Sequence, residues 1–138
     1  MMKALKTPAI VLSGLLAAGA AGGAAGAAGD NPVLGTWDWN PVQGQCHEVH
    51  TYNADGTYRG ESGTEVLTKT YTVVKASGGM YRVDATVTAT NGGEDCQGFR
   101  TDVEAKSTVY IQPLNGGGYF TCGSEDGMSC YGSAHLKK

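Results

Sequence analysis

The sequence predicts an all-β fold, a single small antiparallel up-and-down β-barrel of about eight strands. Three observations carry this reading. Apolar and polar residues alternate with period two along several segments, and no stretch past residue 30 keeps a helical period of 3.6. Turn signals rich in glycine separate those segments at short intervals. The four cysteines, placed on the resulting strand order, all fall at one end of it.

The elements run as follows. Residues 1–29 hold a basic start (Lys3, Lys6), an apolar run over 9–18 and a tail of small residues with A-x-A sites at Ala18-Gly19-Ala20 and Ala25-Gly26-Ala27. That order is the pattern of a secretory signal peptide, and glycine interrupts it too often for a membrane span. No cysteine follows the apolar run, so a lipid anchor is not expected. The chain divides into a leader, 1–29, and one domain, 30–138. The mature protein is expected to be bacterial and secreted or periplasmic, without membrane insertion after cleavage. Of ten basic and thirteen acidic residues the leader takes two lysines and no acid, which leaves the domain a net charge near −5. A basic footprint for nucleic acid is absent, as is a cationic face for anionic lipid.

Strands are expected at 33–39, 46–53, 57–61, 66–75, 80–90, 101–112, 117–122 and 130–136. Asp55-Gly56, Ser77-Gly78-Gly79, Asn91-Gly92-Gly93 and Asn115-Gly116-Gly117 supply turns that tolerate positive φ. The fifth strand alternates most cleanly, with Tyr81, Val83, Ala85, Val87 and Ala89 facing one way and Arg82, Asp84, Thr86, Thr88 and Thr90 the other. The sixth repeats it, setting Val103, Ala105, Ser107, Val109 and Ile111 against Asp102, Glu104, Lys106, Thr108 and Gln112. One face buried and one wet means antiparallel sheet. On the fourth strand Leu67, Lys69, Tyr71, Val73 and Lys75 mix on one face, which a bulge would explain. Eight hairpin-linked strands close best as a barrel, which leaves no free edge.

About 110 residues bury only roughly two-thirds of their unfolded surface, so covalent help is expected outside the cytoplasm. Cys46, Cys96, Cys122 and Cys130 supply it as two disulfides, with three connectivities possible. Their spacings of 50, 26 and 8 offer no C-x-x-C pair for zinc. Connections after odd-numbered strands share one barrel end. Cys46 ends the first, Cys96 lies in the fifth, and Cys122 and Cys130 bracket the seventh. That placement favours Cys46–Cys96 and Cys122–Cys130.

Gly35-Thr36-Trp37 on the first strand, followed by the hairpin TYNADGTY over 51–58, resembles the small secreted lipocalin-like (calycin) domains of bacteria. The motif covers about a quarter of the chain. The resemblance implies that Trp37 packs across the closed end of the barrel, with Gly35 allowing close backbone approach. The chain departs from true lipocalins in being shorter and in showing no C-terminal helix.

Little chemistry is spelled out. In Cys46-His47-Glu48-Val49-His50, Glu48 and His50 share one strand face, and a third metal ligand would have to come from Glu94, Asp95 or His135. No metal-ligand spacing is completed, so the favoured reading is a solvated outer face and no metal. Gly60-Glu61-Ser62-Gly63 resembles the nucleophile segment of trypsin-like proteases, a reading rejected because one small barrel lacks the two-barrel frame and the His–Asp pair. The two glycines are expected to bend a connection instead. Glu61, Glu65, Glu94, Asp95, Glu125 and Asp126 gather at the cysteine end. Such carboxylates can act on sugars, but solvated loop acids are the commoner case. No P-loop, dinucleotide fingerprint, H-E-x-x-H or EF-hand occurs. Neither a cofactor nor enzymatic activity is expected.

Small inward residues on strands five and six (Ala85, Ala89, Ala105, Ser107) leave room inside. Large residues (Trp37, Trp39, Tyr71, Phe120) fill that room, or a cavity remains; an eight-stranded barrel allows either. If it remains, the expected lining is Trp39, Tyr71, Tyr81, Val83, Ala85, Val109 and Phe120, holding a small apolar or aromatic ligand. The alternative is a protein-interaction module, an inhibitor or envelope accessory factor, working through the acidic loop end.

Overall fold

The computed structural model describes residues 30–138; the signal-peptide reading lies outside the described residues. Eight strands run β1 (Gly35–Pro41), β2 (Glu48–Tyr52), β3 (Thr57–Ser62), β4 (Glu65–Lys75), β5 (Tyr81–Thr90), β6 (Lys106–Pro113), β7 (Tyr119–Cys122) and β8 (Cys130–Leu136). Each pairs antiparallel with the next, and β8 returns to β1 through Trp37↔Leu136 and Trp39↔Ala134. The up-and-down barrel is closed, as the alternation predicts.

The disulfides are Cys46–Cys96 and Cys122–Cys130. The first ties the β1–β2 connection to the β5–β6 connection across one barrel end. Two disulfides in so small a domain point to an oxidising compartment outside the cytoplasm.

The opposite end is a packed floor. The segment before β1 folds across it, burying Val33 completely. Trp37 donates its indole N–H to the Val33 carbonyl at 2.7 Å and meets the Tyr119 ring edge-on at 5.0 Å. Ile111, Met80 and Tyr71 complete the buried set at this end. Trp37 thus sits where the Gly-x-Trp motif implies. Gly35 serves it differently from the expectation. An added Cβ there would meet nothing closer than Leu136 at 3.5 Å, an ordinary contact. What requires glycine is its φ of +117°, which side chains rarely adopt.

Three strand details depart from simple alternation. The β4–β5 register shifts between Thr68 and Lys69, with the extra residue, Thr88, on β5. β4 itself alternates through this point, so its mixed face is not due to a bulge, and Lys69 points inward beside Leu67 and Tyr71. The shift keeps Val87 inward and turns Ala89 out, so Ala89 is exposed rather than inward. Residues 101–105 are not strand. Glu104, at φ +73°, and Ala105 both bond to Val87, and this bulge delays β6 to Lys106 and leaves Val103 exposed. On β7, Tyr119 and Thr121 are buried and Phe120 faces out. The expected inward Phe120 fails because Tyr119, paired with Ala134 and seated on Trp37, takes the interior place one residue earlier.

Candidate functional site

Above the floor the barrel stays open. A cavity of about 600 Å³ occupies the half nearer the Cys46–Cys96 bridge. Each wall owes its shape to a glycine that makes room for an aromatic ring. On β3, Tyr58 and Gly60 both face in, and a Cβ on Gly60 would lie 2.5 Å from the Tyr58 hydroxyl. Gly60 therefore makes room for a phenol and does not bend a connection. Opposite, a Cβ on Gly132 would lie 2.0 Å from the Trp39 ring, so the missing side chain on β8 seats the Trp39 indole. Trp39 donates to Thr121 Oγ1 at 3.0 Å and stacks on His50, with ring centroids 5.4 Å apart. Tyr58 packs edge-on against Tyr52 at 4.7 Å and against His50 at 5.6 Å.

A polar network runs through this aromatic wall. Glu48 and His50 are adjacent inward positions of β2 and bond through Oε2 and Nε2 at 2.7 Å. The other Glu48 oxygen accepts from Ser62 Oγ at 2.9 Å, and Ser62 Oγ accepts from the Cys96 amide at 3.1 Å. The mouth disulfide is thereby wired to the cavity carboxylate. Glu65 is buried and accepts the Thr101 amide at 3.0 Å. Lys69 lies with its ammonium 5.1 Å from the Tyr58 centroid. Burial lowers the Lys69 pKa, against the pull of the Glu48 and Glu65 charges. Burial likewise holds the Tyr52 and Tyr58 phenols protonated, with nearby phenols and the Glu48 charge adding to it.

The sequence expectation and this site agree in part. Trp39, Val83, Ala85 and Val109 line the cavity. Tyr71 and Tyr81 face inward but belong to the floor. The Tyr71 hydroxyl accepts from Asn31 at 3.1 Å and donates to the Asn53 carbonyl at 2.7 Å, which locks the ring into the base. Tyr81, the first residue of β5, packs against the core beside Ile111. Phe120 is outside. Alternation tells in from out, but not height along the barrel axis.

The favoured outer placement of the Glu48–His50 face is overturned. That face is internal, and His47 is the residue outside, 3.3 Å from both Asp38 and Asn40. The proposed third ligands do not join it: Glu94 pairs with Arg100 at 3.5 Å, Asp95 caps its own loop, and His135 is exposed on β8. Among the described residues, Cys46, Glu48 and Cys96 alone bring three ligand-type atoms together, and two of those are disulfide sulfurs. Glu65 leaves the set of loop acids for the interior. Glu61 stays near the mouth, paired with Arg59. Glu125 turns away from it, accepting the Ser77 amide at 2.8 Å on the β4–β5 turn.

The residues missed were Tyr52, Tyr58, Ser62, Glu65, Lys69, Thr121 and Tyr131, all on the cavity wall. A signal for two of them existed. The Asp55-Gly56 hairpin pairs Tyr52 with Tyr58, and two tyrosines on a shared face mark it as the inner one. His50 and Glu48 follow from the same parity.

Comparison with known proteins finds no counterpart: no family model, no curated protein and no solved structure matches the chain. The architecture supports the lipocalin-like resemblance as far as a closed eight-stranded antiparallel barrel with a packed base.

Proposed function

We propose that this chain is an exported small-molecule-binding protein that carries its ligand in the mouth half of the barrel and catalyses no reaction. The supporting observation is the cavity: about 600 Å³, within the range of ligand pockets, walled by aromatic rings and by polar groups already fixed by hydrogen bonds. The wall narrows the apolar or aromatic ligand expected from sequence. Leu67, Val83, Ala85 and Val109 offer one apolar side, while Glu48, His50, Lys69 and Tyr58 offer a polar one. An amphipathic molecule with a flat ring fits both. Nile red, a neutral environment-sensitive dye, should bind the native protein saturably. Ala85→Trp, which fills the apolar side, should weaken that binding at least tenfold. Absent or unsaturable binding would reject the reading.

A second reading is a protein-interaction module, and one observation favours it. Val42, Phe99 and Val103, on the connections around the mouth, are large apolar side chains left exposed. If that surface is the working one, Phe99→Ser should abolish partner capture while Nile red binding stays unchanged.

A further inference from the structure

The wall composition says more than that a small molecule fits. Six lining residues carry ionisable charge or an imidazole: Glu48, His50, Glu61, Glu65, Lys69 and Asp95. Glu61 is answered by Arg59 outside the cavity. Asp95, at the rim, accepts the Gln97 and Phe99 amides of its own loop. That leaves Glu48 and Glu65 facing the Lys69 ammonium inside a partly enclosed space, where charge is screened less than in bulk water. The surrounding surfaces are ring faces and edges of Trp39, Tyr52, Tyr58 and Tyr131, and an electron-rich ring face attracts cations. The chain's own Lys69 ammonium, held over Tyr58, is an internal example of the contact.

Resting on the binding reading above, we propose that the cavity is selective for protonated organic amines, with the ammonium drawn to the Glu48–Glu65 side against the Tyr52 and Tyr58 rings and the ligand's own ring stacked beside Trp39. An anionic ligand would face the same carboxylates with Lys69 as its sole fixed counter-charge. A neutral ligand would leave their field unused. The Glu48 charge already acts on its neighbours, adding to burial in holding the Tyr58 and Tyr131 phenols protonated.

Three isosteric probes separate these cases by titration calorimetry on the native, disulfide-bonded protein: 2-(1-naphthyl)ethylammonium, 2-(1-naphthyl)ethanol and 1-naphthaleneacetate. The ammonium should bind at least tenfold tighter than either partner, and Glu48→Gln should bring ammonium and alcohol within about threefold of each other. An alcohol that matches the ammonium, or a carboxylate that exceeds it, overturns the inference. So does a failure of all three probes while Nile red still binds, an outcome that leaves the cavity reading intact. If Nile red fails as well, both fall. Should Glu48→Gln not fold, as judged by circular dichroism and intact mass, the wild-type ranking decides alone, and Glu65→Gln serves as the second variant.

Discussion

The two halves of the barrel are built from the same strands and filled on opposite principles. At the floor, Trp37, Ile111, Tyr119 and Val33 interlock, and the Tyr119 hydroxyl is buried against the Tyr52 phenol. At the mouth, Glu48, His50, Ser62 and Glu65 are each bonded, yet space is left between the walls. The floor is filled by close packing of these side chains. The mouth bonds its carboxylates, since an unbonded buried carboxylate would be costly, and keeps a volume that packing would have removed. Stability should therefore concentrate at the base and recognition at the rim.

Truncating the floor is the most direct test. Trp37→Ala removes the plug and its bond to Val33, and should cost about 3–5 kcal/mol in denaturant unfolding. Trp39→Ala should cost less, since one side of that ring already borders the cavity, but weaken Nile red binding by roughly tenfold. Equal losses of stability in the two variants would erase the distinction between the halves.

Next in size are the bridges. Replacing Cys46 and Cys96 together by Ser opens a span of 50 residues and should cost about 4 kcal/mol by loop-closure entropy. The same change at Cys122 and Cys130, spanning 8 residues, should cost about 2.5 kcal/mol. Only the first should also loosen the cavity network, because Ser62 bonds to the Cys96 amide.

Gly132→Ala sharpens the comparison at the rim. Its new methyl would strike the Trp39 ring, so Trp39 must move into the cavity, at about 1–3 kcal/mol of overpacking and with reduced dye binding. Stability and binding unchanged would mean the wall is softer than its contacts indicate.

The pH limits follow from both ends of the molecule. Tyr52, Tyr58 and Tyr119 have phenol pKa values raised above 10, chiefly by burial. Their folded pKa exceeds the unfolded one, so their contribution is complete below pH 10 and is lost as pH rises beyond it. On the acid side, hydrogen bonds lower Asp84, through Thr108, and Asp126, through Ser124. Their contribution is present above the unfolded carboxylate pKa near 4 and fades as pH falls through it. Thermal melts should thus decline above pH 10 and below pH 4. Smallest of all, Tyr119→Phe should cost no more than about 1 kcal/mol, since it removes one buried hydroxyl beside the Tyr52 phenol and keeps the ring packed on Trp37. It should also soften the alkaline decline.

Much of this was legible beforehand for identifiable reasons. Asp55-Gly56 and the glycine pairs marked the hairpins because tight turns need positive φ there. Val83 and Val109 announced the interior because the alternation around each of them, before the β5 irregularity and after the start of β6, is regular. Tyr71 and Tyr81 were placed correctly inside but at the wrong height, since a period of two carries no information about depth. Phe120 and Ala89 failed for a local reason: two adjacent aromatics at 119–120 leave parity open, and an extra residue at Thr88 in β5 reverses it.

Alternation and turn chemistry, which are properties of neighbouring residues, by themselves pointed to eight strands, their antiparallel order and the closed barrel, and the even set of cysteines agreed with that order. Tertiary structure alone decided what the barrel holds. Glu48 and Ser62, Glu65 and Thr101, and Trp39 and Gly132 lie 14, 36 and 93 positions apart in sequence. The β2–β3 hairpin joins the first pair, but only closure of β8 onto β1 and the folding of the β5–β6 connection over the mouth bring all three around one space. A cavity is the difference between the volume that a barrel encloses and the volume that its side chains fill, and no local pattern records that difference.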